Sequence, residues 1–83
     1  MSGTNMTEAI LTGANLRGAS VSWTTLRGAN LTKANLYRAK LCWSNLTEAI
    51  LVEAVLLDAN LNQVMLRGAN LSGAMMPNGY NHD

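Results

Sequence analysis

The sequence predicts an all-β chain wound into a square parallel β-helix, and three observations carry that prediction. Leu, Met or Val recurs at every fifth residue from Met6 to Met76, fifteen windows in all. The apolar positions alternate in steps of two and three, as from Ala14 to Leu16, then Ala19, then Val21. The residue two before each central position is Ala in eleven windows, and the four departures, Thr4, Thr24, Ser44 and Val64, lie twenty apart.

Neither regular element suits a five-residue period alone. Five residues of α-helix turn about 500°, so successive leucines would scatter around the whole circumference. On a flat strand an odd period sends successive leucines to opposite faces. The step of two is ordinary strand alternation, with both side chains on one face, and the step of three must contain a corner that turns the next pair inward. Each window is therefore one short side of a coil. The twenty-residue spacing then means that four sides close a turn and that residue i lies beside i+20, giving just under four coils at about 4.8 Å each.

Along the chain, residues 1–3 form a lead-in, 4–77 the β-helix and 78–83 a C-terminal tail expected to be unstructured. Gly13, Gly18, Gly28, Gly68 and Gly73 recur at one corner position, where a residue without Cβ can take a positive φ. They read as turn residues and not as a phosphate cradle, since no glycine cluster precedes a helix. MTEAIL at 6–11 returns as LTEAIL at 46–51, and LRGANL at 26–31 returns at 66–71, which points to duplication of two-coil units.

The windows ANLRG, ANLTK, ANLYR and ANLNQ resemble the A(D/N)LXX consensus of the pentapeptide-repeat family, and the match runs over residues 4–77. The resemblance implies a right-handed quadrilateral β-helix with the central Leu and preceding Ala inside and the other three positions outside. That hand agrees with the general preference of parallel crossovers. The style of repeat is similar to that of short cyanobacterial members.

At 83 residues there is room for one domain, near the size where a compact core needs a staple, an idealised repeat or a partner. Cys42 is the only cysteine, so no intrachain disulfide can form, which suits a reducing compartment, and a cytoplasmic location is expected. The N-terminal MSGTNMTEAIL lacks a basic segment followed by an apolar run, and no stretch is long enough to cross a bilayer. A net charge of +1 supports neither an acidic surface mimicking DNA nor a basic nucleic-acid groove.

Stacking by twenty sets Lys33 beside Glu53 and Arg38 beside Asp58, two opposite-charge pairs that would fix register. It also stacks Asn15 on Asn35 as an outward ladder. Glu48, Glu53 and Asp58 occupy successive corners that point in different directions, so they do not converge on a cation, and no metal or cofactor is expected. His82, the only histidine, lies in the tail, so no Ser/His/Asp or Cys/His set can be assembled and no enzyme is expected.

Two outward features remain as candidate protein-interaction sites. Trp23 and Trp43 share a column on adjacent coils beside Cys42, and an aromatic ridge there either binds a partner or folds over the Thr24 and Ser44 side. Ile50, Val52, Val55 and Leu57 on the third coil, with Tyr37 below Leu57 and Met75 above Val55, place apolar groups where the repeat normally carries polar ones. Neither terminus has enough residues for a substantial cap, so self-association through coil ends or the apolar patch is expected. The expected function is a non-catalytic scaffold that binds a protein partner, with neither nucleic acid nor membrane. The alternative is the DNA-mimicking protection of a type II topoisomerase known within the resembled family, which the near-neutral charge and short length disfavour.

Overall fold

The computed structural model describes residues 3–77 and the backbone of Asn81–His82. Eleven isolated parallel bridges, from Asn5 to Thr25 through to Val55 to Met75, all join a residue to the one twenty positions on. This is the register that the spacing of the Ala exceptions predicts. Each five-residue side contributes a single bridge, because a corner interrupts pairing before a longer strand can form.

The corner follows from one repeated hydrogen-bond set. The central residue's carbonyl accepts from the amide three residues on, as in Ala9 N–H to Met6 O at 3.0 Å, closing a β-turn. The third residue of that turn has positive φ, between 57° and 64° at Glu8, Trp23, Lys33, Arg38, Trp43, Glu48, Glu53, Asp58 and Gln63. The glycines that the sequence singles out share this position, with Gly18 at φ 66°. Residues other than glycine accept it because their amides also donate to the next turn: Glu8 N–H reaches Arg27 O at 2.8 Å and Lys33 N–H reaches Val52 O at 2.8 Å.

Leu26, Leu31, Leu36, Leu41, Leu46, Leu51 and Leu56 are fully buried and fill the axis, with Ala29, Ala34, Ala39, Ala49 and Ala54 against them. Thr24 and Ser44 are also buried. These two members of the exceptional column therefore take the inward place that Ala holds in the other windows, while Thr4 is exposed and Val64 half-buried. Ser44 Oγ is accommodated there by donating to Leu41 O at 2.6 Å.

Strand β1, Ala74–Met75, pairs antiparallel with β2, Asn81–His82, setting Ala74 opposite His82 and Met75 opposite Asn81. An unstructured terminus is therefore not what these two residues adopt, since their backbone satisfies groups left open along the last side. Residues 78–80 and 83 of the expected tail lie outside the described residues. Among the described residues no helix is long and apolar enough to cross a membrane.

Candidate functional site

The outer surface is built from three positions per side, and its geometry starts with asparagine. The Oδ1 atoms of Asn5, Asn15, Asn30, Asn35, Asn45, Asn60 and Asn70 each accept the amide two residues on. That amide faces outward and has no ladder partner, so Asn before the central Leu satisfies it locally. Asn15 and Asn35 share a bridge, yet their side chains bond to their own turns and not to each other as a ladder. The alternation of Asn with the central Leu was the available signal, and its purpose is visible only once the amide is placed.

Trp23 and Trp43 sit at corners with φ near 63° and 64° and stack with ring centroids 5.3 Å apart and planes 7° from parallel. Their exposures are 64% and 52%, so the rings stand out from the corner. Cys42, next in sequence to Trp43, is a half-buried free thiol.

The apolar patch divides. Val55 bridges Met75 above it, and Tyr37 lies in the column of Leu57, so these four share one side of the coil. Ile50 lies on the preceding side and bridges Asn30 below and Asn70 above, which leaves it isolated among amides. Val52, on that same side, is half-buried, as are Val55, Leu57 and Tyr37, while Ile50 and Met75 are exposed. Ile10, at 82%, and Met65, at 53%, are more exposed than either and belong to neither expected site.

Charges also sort differently from expectation. Lys33 Nζ lies 3.9 Å from Glu53 Oε1 as anticipated. Arg38 forms no ion pair with Asp58. Its guanidinium instead lies 5.2 Å from the Tyr37 ring centroid, with that of Arg17 5.3 Å from the same ring. An exposed ion pair gains little in water, and both residues are exposed, whereas the aromatic face of the adjacent residue is within reach without ordering a second flexible side chain. Asn15, Arg17, Gly18, Tyr37 and Arg38 line an open depression of about 470 Å³. Among the described residues no group of His, Cys, Asp or Glu side chains is arranged to hold a metal.

Comparison with known proteins places this geometry. The family profile described as pentapeptide repeats matches in eight copies over residues 1–32, 24–47 and 34–73. The chain is similar to Rfr23, a pentapeptide repeat protein from the cyanobacterium Cyanothece 51142, at 37% identity over 80% of this chain and 48% of that one, with a TM-score of 0.53. It also resembles the pentapeptide repeat protein alr5209 from Nostoc Pcc 7120, at 34% identity over 78% and 58% of the two chains, TM-score 0.47. A pentapeptide repeat protein from the Arabidopsis thaliana thylakoid lumen matches at 33% identity over 89% and 55%, TM-score 0.48. The chain spans about half the length of these solved relatives. No curated protein matches it.

Proposed function

The chain belongs to the pentapeptide repeat family, a repeat scaffold fold, and from that premise we propose that it is a non-catalytic interaction module binding another protein through its Trp23–Trp43 corner. The coil in this reading is right-handed and square, with just under four turns. The observation that carries the reading is the stacked, half-exposed tryptophan pair, held at positive φ where the same corner elsewhere bears glycine or a charged or polar residue. Bulky residues at positive φ are uncommon, and rigid exposed aromatics are the side chains that supply most energy at protein interfaces. The Val55, Met75, Tyr37 and Leu57 side is the secondary contact, for the same partner or for a second copy of the chain.

The test is comparative affinity capture with the wild type, a Trp23→Ala/Trp43→Ala double variant and a Leu57→Glu variant. The double variant is expected to lose the main partner, and Leu57→Glu to weaken it or to abolish self-association in sedimentation. Retention of every partner by both variants removes both surfaces from the function.

A further inference from the structure

The depression between Arg17 and Arg38 has a cationic composition that the interaction reading does not use, although its Tyr37 also belongs to the secondary apolar side. Both guanidiniums lie within about 5.3 Å of the Tyr37 centroid, and neither has an ion-pair partner among the described residues. Asn15 commits its Oδ1 to the Arg17 amide at 3.3 Å, so the part of its side chain left over is the donating NH₂. No carboxylate lines the depression. Gly18 also lines the depression, and a Cβ there would meet nothing within 4 Å, so the space beside it is open. The lining thus offers two arginine cations beside one ring and an amide donor, with no carboxylate among them.

We propose that this depression binds a phosphate monoester. Guanidinium donors are fixed in planar forks that match the oxygens of carboxylates and phosphates two at a time. A carboxylate has two oxygens and is satisfied by one fork, whereas a phosphate monoester has three terminal oxygens and nearly two negative charges, which suits two forks at once. Stacking on Tyr37 reduces the rotamer freedom that each arginine must lose on binding. The volume of about 470 Å³ accommodates the group together with part of the molecule that bears it.

The test follows amide shifts of the full 83-residue chain during titration with glycerol 2-phosphate and with a phosphoserine peptide, holding ionic strength constant with sodium chloride. Saturable shifts are expected at Arg17, Gly18, Tyr37 and Arg38. Arg17→Gln and Arg38→Gln should each weaken binding about tenfold, the loss of one charge-assisted fork. Arg27→Gln, on another side of the coil, should leave it unchanged. Tighter binding of the peptide assigns the site to a phosphorylated protein, and tighter binding of the small ester assigns it to a metabolite-sized ligand. Shifts that fail to saturate overturn the proposal. So does an Arg27→Gln effect as large as the others, or acetate binding as tightly as the phosphate esters. The Trp23→Ala/Trp43→Ala variant should bind glycerol 2-phosphate normally, so this site and the tryptophan surface stand or fall separately.

Discussion

A corner residue in this coil holds a backbone conformation that L side chains rarely adopt, and what lies above or below it decides the cost of a side chain there. Gly18 has φ 66° and open space around the site of a Cβ, so Gly18→Ala carries only the backbone strain. Gly68 has φ 71° and would bring its Cβ to 3.3 Å from Glu48 Cγ in the turn below. We expect Gly18→Ala to cost about 1 kcal/mol and Gly68→Ala distinctly more, read from urea unfolding midpoints. Equal losses at the two sites would show that backbone strain alone sets the cost.

At the scale of one side of the coil, pairs of residues twenty apart take the place that neighbours in sequence hold elsewhere. The stacked tryptophans should show a double-mutant coupling of about 0.5–1.5 kcal/mol in thermal unfolding. The Lys33–Glu53 pair, at 3.9 Å and largely exposed, should couple by less than about 0.5 kcal/mol. Absence of coupling between Trp23 and Trp43 would mean that the rings do not stay stacked in solution. Which residues pair was legible in the sequence, because period and exceptions together fix the register. Where each side chain goes was less so. Arg38 was matched to Asp58 by column alone, but a long guanidinium stem can bend toward the ring beside it. Thr24 and Ser44 read only as departures from Ala that count the turn, and nothing in the sequence tells how a hydroxyl is accommodated in the core; for Ser44 it is the turn carbonyl Leu41 O that accepts it. Likewise glycine revealed the corner conformation, while nine other residues adopt it without any cue in their chemistry.

Over the whole molecule the register behaves as a rule of addition. Duplicating residues 24–43 in place adds one complete turn and keeps every column, so the variant should unfold cooperatively and stack three tryptophans, visible as a stronger exciton couplet in circular dichroism. Inserting five residues after Trp43 shifts all later columns by one side, separating Lys33 from Glu53 and replacing the partners of bridges that span the insertion, such as Asn30–Ile50 and Asn35–Val55. It keeps the inward pattern but should lower the unfolding temperature relative to the twenty-residue insertion. Equal stability of the two variants would mean that only the five-residue period matters and the columns contribute nothing.

The parallel bridges that join each residue to the one twenty further on also set how the coil yields to force. Pulled from its two termini, such a chain carries tension along the winding axis, and an outermost turn detaches while those within stay intact. Each released turn of twenty residues lengthens the chain by up to about 70 Å of contour. Extension by optical tweezers should therefore rise in near-equal increments, one per turn, in the manner of a ratcheted spring.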